Sequence, residues 1–367
     1  MIIGIDGNEA NVNEQVGVSV YTLNILNHFQ QIATESVRFT VYLRNPPKDF
    51  LPQETEYFKY TLVNGRVLWS QVFLPLHLNL KRGIDIFFSP AHYSPRFCPV
   101  PLTVTIHDLS YFYYPDEFLK KDLYKLKNWT QYSIENAKHI IAVSKNTKKD
   151  ILKFYPHIPE KKITVVYNGF EKNIIGTGRN LSLQQYNLQP NRYLLYVGTL
   201  QPRKNISTLL KSFAQYSKQD EKMQLVLVGK KGWMYNEIFK QVGEYNLQER
   251  VIFTGYIPDN ELAVLYKNAF CYILPSFYEG FGIPILEAMS YGCPVISSFT
   301  SSLPEIGGNA CEYFDPSSSE TLTDRIIELQ EAPDHRKELI KRGLDRVKEF
   351  SWEKCATETL KILQAQT

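Results

Sequence analysis

The chain alternates short apolar runs with polar stretches of helical length, and this alternation most constrains its fold. Several runs are apolar at nearly every position, as in central strands that helices cover on both faces. Repeated strand–helix–strand units of this kind form parallel sheets with right-handed crossovers. The runs cover residues 1–6, 38–43, 84–90, 102–108, 139–144, 163–169, 193–198, 223–229, 251–255, 271–276 and 294–298. Helices are predicted between them, for example over 205–217, 259–268 and 284–291.

The series of runs breaks once, at residues 171–192, which carry glycines and polar residues and little strand character. A length of 367 residues also favours two domains over one. We therefore predict two doubly wound α/β domains, residues 1–170 and 171–349, with a ligand cleft between them. Residues 350–367 have the pattern of a terminal helix.

Composition excludes several classes of protein. A net charge of +3 is too mild for a nucleic-acid-binding surface. Because no apolar run reaches 18 residues and the N-terminus lacks the features of a secretion signal, we expect a cytoplasmic protein. The five cysteines form no C-x-x-C pair and the seven histidines no H-x-x-x-H pair, so neither a disulfide framework nor a metal site is expected.

The loop after the run at 271–276 combines a proline, two glycines and two carboxylates. Gly280 and Gly282 let the backbone turn sharply and approach a ligand closely, just before a predicted helix whose N-terminal amides form an anion site. Glu279 before the turn and Glu287 in the helix can accept hydrogen bonds from the hydroxyls of a sugar or ribose. The alternative is a tight turn in which Glu287 only stabilises the helix dipole.

Two cations follow the run at 193–198. Arg203 and Lys204 precede a predicted helix that Asn205 would cap. Cations at a helix N-terminus are unfavourable unless an anion sits there, and Arg and Lys both bind phosphate. A solvated surface pair is the alternative.

Three further loops carry candidate residues. His107 ends the run at 102–108, where it can change protonation near neutrality or serve a structural role. Gly17 precedes an amphipathic helix and offers an anion contact. Tyr256, after the run at 251–255, offers a platform for a base, although buried packing explains it equally well.

These motifs resemble those of retaining glycosyltransferases of family 4, which have the GT-B fold of two facing Rossmann-like domains. The resemblance spans nearly the whole chain, and its most specific part is the pair of glutamates in "YEGFGIPILEAMSYGCPV". The segments "VGTLQPRKN", "VIFTGYIPDNEL", "AVSKNTKKDI" and "VVYNG" match in type and order. The resemblance implies transfer of a sugar from a nucleotide diphosphate to an acceptor hydroxyl, with retention, and with neither a divalent metal nor another cofactor.

The resemblance also assigns roles, with the donor in residues 171–349, the acceptor in 1–170 and the terminal helix packed on the first domain. The residues with implied catalytic roles are His107, Lys204 and Glu279. Those implied for donor binding are Gly17, Gly198, Thr199, Arg203, Lys204, Tyr256, Gly280, Phe281, Gly282, Ile283 and Glu287. Those implied for the acceptor are His92, Tyr93 and Asp108. Thr199 stands where many relatives carry an arginine, so Arg203 is expected to neutralise phosphate in its place.

The donor and acceptor are less constrained. The segments "PRKN" and "TIHDLSYFYYPDEF" are most like those of bacterial mannosyltransferases that use GDP-mannose. UDP-N-acetylglucosamine or UDP-glucose is the alternative donor, and a GT-B phosphorylase, an epimerase or a non-catalytic scaffold is the alternative function. The expected acceptor is a glycan or a lipid-linked glycan.

Residues 117–129 mix four lysines with five large apolar residues. This composition is typical of an ordinary solvated helix, and a peripheral contact with an anionic membrane is the alternative.

Overall fold

The computed structural model describes residues 1–15, 17–65, 68–170, 181–232 and 235–366. The chain divides into two compact units, one formed by Met1–Gly169 with Phe350–Thr367 and the other by Phe170–Glu349. Residues 171–180 of the predicted junction lie outside the described residues. Each unit contains a parallel sheet in a Rossmann-like, doubly wound arrangement, so the predicted α/β class is confirmed.

Within the described residues, the first unit contains a seven-stranded parallel sheet in the order β3-β2-β1-β4-β5-β6-β7. Its elements up to the junction are β1 Ile2–Asp6, α1 Gly17–Ile32, β2 Arg38–Leu43, β3 Phe58–Leu62, α2 Leu74–Leu80, β4 Ile86–Ser89, β5 Leu102–Ile106, α3 Ser110–Tyr113, α4 Lys120–Asn136, β6 His139–Ala142, α5 Lys145–Phe154 and β7 Ile163–Val165. A wide helical turn, Trp69–Phe73, leads directly into α2.

Both faces of the first sheet are covered. Along β4, the Phe88 ring faces Phe29 of α1, while its neighbour Phe87 belongs to the opposite core layer. All five residues of β5 are buried, including the polar Thr103 and Thr105, as expected for a central strand that is covered on both faces. The strand β3 was not predicted, because it lies at the sheet edge and its exposed Lys59 interrupts the apolar pattern.

The second unit contains, among its described residues, a six-stranded parallel sheet in the order β10-β9-β8-β11-β12-β13. Its elements are α6 Leu181–Gln185, β8 Tyr193–Val197, α7 Ile206–Tyr216, β9 Gln224–Val228, α8 Asn236–Glu244, β10 Val251–Gly255, α9 Asp259–Asn268, β11 Cys271–Leu274, α10 Ile283–Ser290, β12 Val295–Ser298, α11 Leu303–Gly307, β13 Cys311–Phe314, α12 Ser319–Glu331 and α13 Pro333–Arg346.

Successive residues of β8 belong to opposite core layers of the second unit. Leu194 packs with α7 residues such as Phe213, whereas Leu195 packs in the layer that contains Leu265 of α9 and Ile285 of α10. This alternation places helices on both faces of the sheet. The four-residue edge strand β13 was not predicted, because it is short and partly exposed.

The terminal helix α14, Trp352–Gln364, packs against α1 in the first unit. Ser351 caps it by accepting a hydrogen bond from the Lys354 amide. A Cβ at Gly169 would lie 2.2 Å from the Trp352 backbone nitrogen, so only glycine allows this approach. The predicted helix is therefore present, although Thr367 lies outside the described residues.

Across the described ranges, no helix combines the length and apolar composition needed to cross a bilayer.

Candidate active site

The loops after the strands of the second sheet gather at its carboxyl edge. Strand order reverses at β8, so the connections after β8 and β11 diverge to opposite sides of the sheet. In doubly wound folds the crevice at such a switch point is where ligands bind. The segments of interest are therefore 198–204, after β8, and 275–282, after β11.

Glycines bring the loops after β8 and β9 into close contact. Gly229 has a φ of +144°, and a Cβ there would lie 2.0 Å from the Gly198 carbonyl oxygen. Gly198 has a φ of +156°, and a Cβ there would lie 2.8 Å from the Tyr196 hydroxyl. Thr199 follows, partly exposed. These contacts fix the backbone that leads towards the two cations.

Arg203, Lys204 and Glu279 form one ion cluster. The Lys204 ammonium donates to Glu279 Oε1 at 2.6 Å, and Arg203 Nη1 lies 3.6 Å from Oε2. Arg203 also donates to the Tyr278 carbonyl, and the Phe277 amide donates to the Arg203 carbonyl at 3.0 Å. The two loops are thus joined through both side chains and backbone.

The ion cluster keeps Glu279 ionised. Burial acts to raise the pKa of this carboxyl, but the charges of Lys204 and Arg203 oppose it. Together with hydrogen bonds from Lys204 and Ser276, these charges hold the Glu279 pKa below its ordinary value. The cluster therefore holds two cations and one carboxylate, a balance that attracts a further anion.

The turn into α10 adopts the predicted conformation. Gly282 occupies the N-cap with a φ of +113°, and Pro284 lies in the first turn of the helix. The first N–H groups of a helix have no partner within it, which makes such a terminus suited to anions. Gly280, Phe281 and Ile283 lie in the same turn, so the predicted residues are adjacent here.

Two serines after β12 hold this turn, and the sequence analysis missed them. Ser301 Oγ accepts a hydrogen bond from the Glu279 amide at 2.9 Å. Ser302 Oγ lies 2.8 Å from the carbonyl oxygens of both Glu279 and Phe281, to which its hydroxyl can donate. Both serines follow a strand at the same sheet edge, but no spacing in the sequence marks their contacts with residues 279–281.

Glu287 lies on α10 in a partly buried position. Its Oε2 accepts a hydrogen bond from the Tyr266 hydroxyl at 3.0 Å. Burial raises the Glu287 pKa to about 7, and the nearby Asp259 adds to the rise while Tyr266 opposes it. Tyr266 was also missed, because it lies 21 residues away with no local motif.

Tyr256 is exposed, with 67% of its surface accessible, so the buried alternative is wrong. The Lys230 ammonium, in the loop after β9, lies 5.2 Å from the centre of its ring. An exposed aromatic ring at this edge can stack on another planar group.

The expected capping by Asn205 is wrong. Asn205 stands at the N-cap of α7, but in a left-handed conformation with φ of +55° and without a side-chain cap. Its amide instead donates to the carbonyl oxygens of Pro275 and Pro316, at 3.0 and 2.8 Å. The side chain therefore joins three loops of the sheet edge.

In the first unit, His107 is buried and lies next to His92. The two rings are 5.5 Å apart, and His107 Nε2 lies 2.8 Å from the Pro90 carbonyl oxygen. Because a carbonyl only accepts, Nε2 carries the proton. Burial, with the neighbouring His92, lowers the His107 pKa to about 3, so this imidazole is neutral at pH 7.

The remaining predicted residues of the first unit have local contacts. Asp108 Oδ1 accepts from the Ser110 amide and hydroxyl at 3.0 and 2.8 Å. The Tyr93 ring packs edge-on against Trp129 at 5.3 Å. Gly17 begins α1 with a φ of +31° and has open space where a side chain would stand. Their assigned roles stay predictions.

In the described part of the chain, no group of three or more His, Cys, Asp or Glu residues is placed to hold a metal ion. The second unit places two cations and a helix terminus suited to anion binding beside two carboxylates of opposite pKa shift.

Two family models match the chain. Glycosyl transferases group 1 matches residues 179–346, and Glycosyltransferase Family 4 matches residues 16–173. The O-antigen chain mannosyltransferase B of Escherichia coli is 33% identical over 75% of this chain and 73% of its own. The O-antigen chain mannosyltransferase RfbU of Salmonella typhimurium is 31% identical over 71% of this chain and 69% of its own.

Solved structures agree on the fold. Sucrose-phosphate synthase of Thermosynechococcus elongatus superposes with a TM-score of 0.76 at 20% identity, covering 99% of this chain and 98% of its own. HepE of Anabaena, solved with UDP-glucose, superposes with a TM-score of 0.77 at 18% sequence identity, covering 99% of this chain and 99% of its own. The fold and the matched models together define a glycosyltransferase of the GT-B class. The chain belongs to glycosyltransferase family 4.

Proposed function

We propose that this glycosyltransferase moves mannose from GDP-mannose to a hydroxyl of a glycan or lipid-linked glycan, with retention at the anomeric carbon and without a divalent metal. The observation that carries the proposal is the cluster of Arg203, Lys204 and Glu279 beside the turn into α10. The mannosyl group is supported by the names of the two relatives above 30% identity.

The donor diphosphate would lie between the two cations and the N-terminus of α10. Negative charge grows on the diphosphate as its bond to the sugar breaks, and Arg203, Lys204 and the helix amides would stabilise it. Pre-placed positive groups of this kind take over the neutralising role of a metal ion. Glu287 would accept the ribose hydroxyls and Tyr256 would stack on the base.

Glu279 would contact the transferred sugar. Held ionised by the two cations, its carboxylate can accept hydrogen bonds from sugar hydroxyls and favour positive charge at the anomeric carbon. For retention, the acceptor would attack from the face that the diphosphate leaves. A phosphate oxygen would take the acceptor proton as the bond between the anomeric carbon and the phosphate breaks.

The proposal also assigns roles to residues of the first unit. The acceptor would contact His92, Tyr93 and Asp108. The donor sugar would contact His107, and the diphosphate would contact Gly17. A neutral His107 would act there as a hydrogen-bonding group rather than a charge. The use of a nucleotide sugar would fit a reaction in the cytoplasm.

The test is turnover with defined donors. GDP-mannose, UDP-glucose and UDP-N-acetylglucosamine are each supplied with octyl α-mannoside in EDTA, and released nucleotide and product are measured. The proposal expects turnover with GDP-mannose and an α linkage by NMR. A β linkage would reject retention, a requirement for added metal would reject metal independence, and faster use of a UDP-sugar would reject the donor.

A further inference from the structure

Serine hydroxyls contact Glu279 at three points. Its amide donates to Ser301 Oγ at 2.9 Å, and its carbonyl oxygen lies 2.8 Å from Ser302 Oγ. Its carboxylate oxygen Oε1 accepts a hydrogen bond from Ser276 Oγ at 2.6 Å. The hydroxyls of Ser301 and Ser302 thus hold the backbone of Glu279, and the hydroxyl of Ser276 holds its carboxylate.

The loop after β12 also holds Ser276. Ser298 Oγ donates to the Ser276 carbonyl oxygen at 2.6 Å, and Thr300 Oγ1 lies 3.2 Å from the same oxygen. Ser276 and Ser298 are both fully buried. The end of β12 therefore fixes the backbone that carries the Ser276 hydroxyl, in a setting of low dielectric where a hydrogen bond is electrostatically stronger than in water.

Ser301 has an uncommon backbone conformation. Its φ is +52°, in the left-handed region that residues with a side chain rarely adopt. Such conformations persist where the surrounding structure holds them, and they cluster at functional sites. In this conformation Ser301 accepts the hydrogen bond from the Glu279 amide. The strained residue of the loop after β12 therefore contacts the residue for which a role beside the donor sugar is proposed.

The groups that contact the Glu279 carboxylate differ in charge. Lys204 and Arg203 are cations that a donor diphosphate would also contact, so a bound donor would compete with Glu279 for both. The Ser276 hydroxyl carries no charge and its residue is buried, so a diphosphate would gain little by taking it from Glu279. The hydrogen bond from Ser276 would therefore keep the carboxylate in place while the donor is bound.

We propose that Ser276 is a positioning residue for sugar transfer, whose hydroxyl keeps the Glu279 carboxylate turned towards the donor sugar. Ser301 and Ser302 fix the backbone around that carboxylate. The inference rests on the proposed function, because it needs the role of Glu279 beside the sugar, but it holds for any nucleotide sugar. Since Ser276 acts through Glu279, its contribution should depend on the presence of the carboxylate.

A double-mutant cycle tests this dependence. Ser276→Ala is made in wild type and in Glu279→Gln, and kcat, KM and GDP affinity are measured with whichever of the three nucleotide sugars the wild type uses. Ser298→Ala is a milder second variant, because it removes a bond to the Ser276 carbonyl and leaves the Ser276 hydroxyl. The control is Ser212→Ala on α7, a fully buried serine whose hydroxyl bonds to that of Thr323 on α12. Circular dichroism verifies that each variant is folded.

We expect Ser276→Ala to lower kcat about tenfold in wild type and by less than about twofold in Glu279→Gln, with KM and GDP affinity within about twofold in both. Ser298→Ala should lower kcat about threefold, and Ser212→Ala should leave it unchanged. Equal losses in the two backgrounds, weaker GDP binding with wild-type kcat, or an unchanged kcat of Ser276→Ala would overturn the inference alone. A wild type that uses none of the nucleotide sugars would reject the proposed function and the inference with it.

Discussion

At the residue scale, two glutamates eight positions apart have opposite pKa shifts because their partners differ. Glu279 faces two cations and stays ionised, whereas Glu287 is buried against the neutral hydroxyl of Tyr266. The two glutamates are therefore suited to different tasks. Glu279 can stabilise positive charge that develops on the sugar, and Glu287 can accept hydrogen bonds from hydroxyls.

Nucleotide affinity is predicted to depend on pH through Glu287. Its pKa of about 7 means that the carboxylate, the better acceptor for ribose hydroxyls, forms as pH rises from 6 to 8. Affinity for GDP should rise about tenfold over that range. Calorimetry at several pH values measures it.

Two variants sharpen this prediction. Glu287→Gln should bind GDP weakly with a flat pH profile. Tyr266→Phe removes a hydrogen bond that lowers the Glu287 pKa, so the midpoint should move to higher pH. Tyr193→Phe is the matched control, because Tyr193 is equally buried but donates to the Leu265 carbonyl. An unchanged midpoint in Tyr266→Phe would remove Tyr266 from this role.

Replacing Glu279 by Gln is predicted to separate turnover from binding. The Glu279 carboxylate pairs with Lys204 and Arg203, the same cations that would contact a bound diphosphate. Its loss should therefore leave GDP affinity unchanged or higher. The kcat should fall by about tenfold or more, because stabilisation in the transition state is lost. Weaker GDP binding with wild-type kcat would contradict the assigned role.

At the element scale, the loops of the second sheet depend on glycine where two backbones meet. Gly229→Ala should destabilise the fold by more than about 2 kcal/mol, because the new Cβ would overlap the Gly198 carbonyl in a left-handed conformation. Gly243→Ala, on α8, meets only the Gln248 amide at 3.8 Å and should stabilise by about 0.5–1 kcal/mol. Chemical denaturation of both variants measures the difference, and equal stabilities would contradict it.

The sequence predicted those elements whose pattern is complete within a few residues. The buried strands β8 and β11 are apolar at every position, and the turn into α10 carries its own glycines and proline. Edge strands such as β3 lack that pattern, because some of their residues are exposed to solvent and polar side chains occur among them.

Contacts between distant residues could not be predicted from the chain. Neither the Tyr266 bond to Glu287 nor the two serines that hold residues 279–281 has a spacing that marks it. Asn205 shows the same limit. Its local pattern predicted a helix cap, but its side-chain amide donates to carbonyl oxygens of residues distant in the sequence.

At the scale of the whole molecule, the chain returns to its first unit through α14. Trp352 is 5% exposed, and its ring lies edge-on to Tyr21 of α1 at 6.0 Å. Trp352→Ala should therefore destabilise the first unit by about 3–5 kcal/mol. Hydrogen exchange should speed up in peptides of residues 1–169 and remain unchanged in 181–349, and uniform loss of protection would contradict this division.

The most direct test of the account is calorimetric binding of GDP, UDP, ADP and dTDP in EDTA, to wild type and to Glu287→Ala. The account predicts that GDP binds most tightly to wild type and that Glu287→Ala weakens it by about tenfold or more. Preference for UDP would contradict the proposed donor. Binding of none of the four, or equal binding to the variant, would contradict the site itself.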